Sequence, residues 1–188
     1  MSIAVTSTPH RHTILRRNLR LGAAGVLVAL LAGCSDDDPW EDFQPFDVPN
    51  SVGIADMNSD GRNDVVAAYT HIAGPYPNAG YASVILQTAS PGIFARGLDS
   101  AVGANPSTLA VADINNVGSP DVAVANAYSG SVSVLLQSAD TGQFSTSVTL
   151  SVGGTPFDVA LGTLDGDTLA DVVVANASSS NITVFRQD

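Results

Sequence analysis

The chain has 188 residues, with 7 Lys plus Arg against 18 Asp plus Glu and a formal net charge of −11. Arg11, Arg16, Arg17 and Arg20 crowd the start, so beyond them only Arg62, Arg96 and Arg186 oppose the acids, giving 3 − 18 = −15. Phosphate-backbone binding needs clustered cations, which excludes nucleic-acid recognition for this part of the chain.

The first 33 residues read as a helical signal peptide. The basic region leads into LGAAGVLVALLA, an apolar run too short to span a bilayer as a permanent helix. It ends in Leu31-Ala32-Gly33-Cys34, which resembles the lipobox of bacterial lipoproteins. The resemblance implies cleavage before Cys34 and lipidation of the only cysteine, which leaves no thiol for a disulfide. A plain secretory signal with a chance cysteine is the alternative. Several acyl chains would anchor the chain to a membrane stably. By the sorting pattern of such lipoproteins, Ser35 in place of Asp implies the outer membrane, on its periplasmic or surface face. Arg16-Arg17 fits a twin-arginine signal poorly, given Asn18-Leu19-Arg20. Residues 34–47 form an acidic tether, SDDDPWED, and an N-terminal strand, with Trp40 as a packing residue.

The next distinctive stretch is DMNSDGRND, residues 56–64. Asp56, Asn58 and Asp60 offer side-chain oxygens at alternate positions, Arg62 its backbone carbonyl, and Asp64 a closing carboxylate. Gly61 permits the sharp turn. These are the requirements of a calcium loop, although an Asn/Asp/Gly turn between strands satisfies the same pattern. It is not an EF-hand: Ala67 stands where Glu is needed, and the flanks VGIA and DVVAAY read as strands.

The loop recurs. PNSVGIADMNSDGRNDVVAAY from Pro49, PSTLAVADINNVGSPDVAVAN from Pro106 and PFDVALGTLDGDTLADVVVAN from Pro156 align without gaps, at spacings of 57 and 50 residues. Further on, SVILQ, SVSVLLQ and NITVFRQ align, with Val84, Val134 and Val184 spaced by 50. The first unit therefore carries seven extra residues between Asp64 and Val84. The turns SPGIF and DTGQF, then LDSAVGANP and VTLSVGGTP, complete the first two units. Each unit reads as four short strands, and alternation at Val132, Val134 and Leu136 predicts a strand buried on one side. The predicted fold class is all-β, a partial propeller of three four-stranded blades at about 49–105, 106–155 and 156–188, the third incomplete. A β-sandwich is the alternative, but it does not predict matching turns in register.

These units, over Pro49 to the C-terminus, resemble FG-GAP and VCBS repeats, the propeller blades also found in integrin alpha subunits. The likeness rests on D-x-N-x-D-G-x-x-D-V together with V-A-N and S-V-x-V-L-L-Q. It implies that the acidic loop joins the first two strands of each blade and binds Ca2+ in a structural role. Loop one is complete. Loop two keeps Asp113, Asn115 and Asp121 but has Val117 in fifth place, and loop three keeps Asp165, Asp167 and Asp171 but begins with Thr163. Counting side-chain oxygens ranks the loops one, three, two.

Three blades do not close a ring, and the third unit lacks a fourth strand. The segment FQPFDVP could supply an outer strand by pairing with a chain end, and self-association of two chains into one ring is a further expectation. The insertion AYTHIAGPYPNAGYAS holds Tyr69, His71, Tyr76 and Tyr81 and is a candidate binding loop, or else a loop whose aromatics cover the blade edge. His71, with no second His, Cys or nearby acid in sequence, is a poor metal ligand or base. No Ser-His-Asp arrangement or phosphate-binding glycine loop can be named, so a non-catalytic role is expected. The resulting expectation is a Ca2+-stabilised, lipid-anchored envelope protein that binds a protein or glycan. The alternatives are a structural or truncated propeller fragment and a propeller-based enzyme acting on polysaccharide.

Overall fold

A computed structural model describes residues 47–72, 77–90, 92–137 and 141–188. The signal peptide, Cys34, the tether and Tyr76 lie outside the described residues. Eleven strands in three antiparallel sheets make up the described architecture, with no helix among them.

The first sheet is a meander of β1 (Asp47–Ala55), β2 (Asp64–His71), β3 (Ala79–Gln87) and β4 (Phe94–Val102). The second repeats it with β5 (Pro106–Ala112), β6 (Asp121–Asn126), β7 (Ser131–Leu136) and β8 (Thr146–Ser151). The third has only β9 (Pro156–Gly162), β10 (Asp171–Asn176) and β11 (Asn181–Phe185). The expected missing fourth strand is thus observed among the described residues. Asp47, Val48 and Pro49 pair with His71, Thr70 and Tyr69 at the start of β1. That part of FQPFDVP therefore extends the first strand of blade one and does not form an outer strand.

The repeat extends to a backbone irregularity. Each first strand bulges just after its proline, between Pro49 and Ser51, Pro106 and Thr108, and Ala175/Asn176 opposite Pro156. Proline has no N–H for the ladder, so a bulge at this point removes an unmatched acceptor from the pairing.

Blades meet face to face. Met57, Val66, Ala68, Ala82 and Val84 of blade one pack against Leu109, Val122, Val124 and Leu135 of blade two. Ile114, Ala123, Ala125, Val132 and Val134 of blade two then pack against Val159, Val172 and Val174 of blade three. Blade two thus turns its leading face to blade three and its trailing face to blade one, while blade one uses only its leading face and blade three only its trailing face. The side chains are mostly Val and Ala because β-branched and small residues fit between two pleated surfaces.

This layering corrects the expectation for β7. Ser131 to Leu135 are all buried, so the strand has no solvent face. Val132 and Val134 face blade three while Leu135 faces blade one, and Ser133 satisfies its hydroxyl by accepting from Asn126 Nδ2 at 2.9 Å. Alternating Ser and Val looks half-exposed in sequence, but here it reports two different buried neighbours.

Candidate functional site

The acidic loops sit where the first strand of each blade turns into the second. Loop one spans the gap between β1 and β2, and its closing residue, Asp64, is the first residue of β2. The Asp64 side chain is fully buried. Its Oδ2 accepts the Met57 N–H at 2.8 Å and its Oδ1 accepts the Gln87 N–H at 2.8 Å. Asp121 does the same, taking Ile114 N–H at 2.9 Å on Oδ2 and Gln137 N–H at 2.7 Å on Oδ1. Asp171 repeats it with Leu164 at 2.8 Å and Gln187 at 3.1 Å. One carboxylate therefore ties the acidic turn to the end of the third strand in every blade.

Burial pushes the Asp64 carboxyl above its ordinary range, despite the two N–H groups, and the nearby Asp60 and Asp56 charges push it further. Burial likewise raises Asp121, with Asp113 adding to it. Backbone N–H groups, two on Asp64 and three on Asp121, lower each value but do not cancel the loss of water.

The remaining acids of loop one converge. Asp60 N–H lies 3.1 Å from Asp56 Oδ1 and 3.3 Å from Asn58 Oδ1, so both oxygens point at one spot inside the turn. Asp56 Oδ2 accepts the Gly61 N–H at 2.8 Å. Asp60 accepts from Arg62 N–H at 2.9 Å, from Asn58 Nδ2 at 2.9 Å and from the Arg62 guanidinium. Ser59 and Gly61 adopt φ of 55° and 81°, and the latter value explains the glycine.

Loop two has the same framework without the fifth-place acid. Asp113 accepts Val117 N–H at 3.1 Å and Gly118 N–H at 2.7 Å, and Asn115 Oδ1 also accepts Val117 N–H at 3.2 Å. Asn116 and Gly118 take φ of 56° and 93°, the positions matching Ser59 and Gly61. Loop three diverges. Asp165 and Asp167 accept only from Asp167 and Leu169 N–H, at 3.3 and 2.9 Å, and Asp165 lies 3.5 Å from Arg186 Nε. Oxygen counting ranks loop three above loop two, whereas turn geometry pairs loop two with loop one. Thr163 cannot reach back to two N–H groups as an aspartate does.

Loop one suits a hard cation in its donor chemistry: two carboxylates and a carboxamide on one turn, plus the Arg62 carbonyl. Among the described residues no three His, Cys, Asp or Glu side chains form a metal-binding group by themselves. Because Asp64 already holds two N–H groups, a bidentate contact from it would use the second lone pair of each oxygen.

The insertion elongates the β2–β3 hairpin. Thr70 pairs with Gly80 and His71 with Ala79, beyond the last pairs of the other blades. Tyr69 is buried and stacks on Tyr81 with ring centroids 5.5 Å apart, so it has no surface to offer a ligand. His71 Nδ1 lies 2.7 Å from Asp47 Oδ1. The nearby acid that sequence did not reveal is supplied across the β1–β2 ladder, where Asp47 pairs with His71.

The family model described as FG-GAP-like repeat matches residues 113–174. This stretch is similar to an FG-GAP-like repeat. The FG-GAP-like match starts at the leading Asp113 of loop two and ends at Val174 in β10, one loop-and-strand element further along the chain. It covers the junction between the second and third blades, the part with no insertion. No curated protein matches the chain.

Proposed function

We propose that this chain is a non-catalytic binding module of the bacterial envelope, lipid-anchored through Cys34 and stabilised by Ca2+ at loop one. The observation that carries the reading is the convergence of Asp56 Oδ1 and Asn58 Oδ1 on a single point of the turn, at the Asp60 N–H, beside a second acid, the Asp60 carboxylate. Bound Ca2+ would neutralise the crowded carboxylates, and its work there would be structural. Asp56, Asn58, Asp60 and the Arg62 carbonyl would hold it, with Asp64 fixing the turn. Loops two and three, through Asp113, Asn115 and Asp121 and through Asp165, Asp167 and Asp171, are weaker places for the same ion.

The ligand is a protein or glycan outside the cytoplasm, contacted at the elongated hairpin tip around Ile72 and Pro77. Tyr69 belongs to the sheet, which favours a supporting role for the aromatics and leaves contact to the tip. Melting with 10 mM calcium against chelator tests the metal: the expected result is a rise abolished by Asp56→Ala, and no difference overturns it. Replacing residues 71–81 with the YSGS turn of blade two tests the tip, since unchanged adhesion to cells or glycan surfaces would overturn the binding role.

A further inference from the structure

The junction between blades one and two and the junction between blades two and three use equivalent positions. Leading-face residues Val66, Ala68 and Val84 match Ala123, Ala125 and Val134, and all six are buried against the next blade. Blade three carries Val173, Ala175 and Val184 at these places, with Ile182 matching Val132. Ile182 and Val184 are 68% and 47% exposed. On the other side, trailing-face Leu109 and Val159 are buried, while Val52 and Ile54 of blade one are 67% and 70% exposed. One chain therefore displays both halves of a contact that it makes twice internally.

We propose that these two faces are filled by a second copy, docked head to tail, so that two three-bladed chains close a six-bladed ring. The apolar side chains are of the type that packs at the internal junctions, and closure satisfies both open faces of both chains at once. A second copy offers each open face the same residue types that cover its counterpart at the internal junctions. The internal contact also fixes the register. A Cβ on Gly53 would lie 2.8 Å from Leu109 Cδ1 and 2.9 Å from Val111 Cγ2. The equivalent pairing between chains sets Ala160 of one against Val52 and Ile54 of the other. The inference needs no bound calcium.

The test uses the full chain in mild detergent, with sedimentation for mass and oxidative cross-linking for geometry. Two single variants, Ala160→Cys and Ile54→Cys, are oxidised separately and mixed. The expected result is a two-chain mass and a new disulfide only in the mixture, any Cys34 product being common to all samples. Val184→Asp, on an exposed face, should weaken association at least tenfold while the chain stays folded by circular dichroism. A single-chain mass at tens of micromolar protein overturns the proposal, as does cross-linking of Ala160→Cys alone. Mass that grows without limit with concentration overturns closure of the ring.

Discussion

The Oδ1 of Asp121 accepts the backbone N–H of Gln137 at 2.7 Å, across a separation of sixteen residues, and both residues are completely buried. The opposite oxygen takes the N–H groups of Ile114 and Asn115 at 2.9 and 3.2 Å. A single side chain thus fixes the turn, the start of β6 and the end of β7. Asp121→Ala strands three buried or half-buried donors, and the cost is expected at about 2–4 kcal/mol. Urea unfolding of the variant beside wild type measures it, and a loss below about 0.5 kcal/mol would show that the carboxylate is dispensable.

The same carboxylates set a pH dependence. Their folded pKa lies above the ordinary 3.8, so between those two values the folded state binds more protons than the unfolded one. Stability from Asp64 and Asp121 is then fully present below 3.8 and is lost as pH rises through the raised folded pKa. In chelator, the urea midpoint should fall with rising pH in that window, and Asp121→Asn should flatten the slope. A midpoint that climbs through the window contradicts this.

Gly53 faces Leu109 and Val111 at distances that no Cβ tolerates. The matching position in blade two is Ala110, which packs in a cluster with the smaller Val159. Gly53→Ala should therefore cost about 1–3 kcal/mol by overpacking. Adding Leu109→Val should restore at least half of that loss, because it rebuilds the Ala–Val pairing of the next junction. A double-mutant cycle with no coupling between the two sites would refute the register.

Gln137 crosses the first junction. Its Nε2 donates to the Met57 carbonyl of blade one at 3.3 Å and to the Pro120 carbonyl, with no exposed surface. Gln137→Ala leaves both carbonyls without this donor and opens a cavity, for an expected cost of about 2–3 kcal/mol. Hydrogen exchange should quicken in β1 and β6 together; exchange confined to blade two would deny a bridging role.

Calcium at loop one would stabilise by mass action. With a dissociation constant on the order of 10⁻⁴ to 10⁻³ M, 10 mM ion contributes about 1.4–2.7 kcal/mol. Asp60→Asn should remove most of this gain, while Thr163→Asp should add a second, weaker calcium response at loop three. Calorimetric titration of both variants checks the pair.

Much of this architecture was legible in the chain because repetition turns a weak local pattern into a strong one. Aligning Pro49, Pro106 and Pro156 located every first strand, and the seven-residue excess located the long hairpin. Burial was harder to read. Ser131 to Leu135 look amphipathic, yet both faces are covered, since burial depends on neighbouring blades that no single window contains. The Asp64, Asp121 and Asp171 clamps were visible as matching Asp and Gln positions, but their partners are backbone N–H groups, which carry no side-chain signature. The hydrogen bond between His71 and Asp47 was hidden for a related reason, as it spans a strand pairing between residues 24 apart.

Each buried aspartate reaches only within its own sheet, so one repeat secures its strands without borrowing from another. A fifty-residue segment could be duplicated or lost in tandem during evolution while every such clamp elsewhere stayed intact. Lineages carrying this unit would then differ first in how many copies they hold, and only later in what those copies contact.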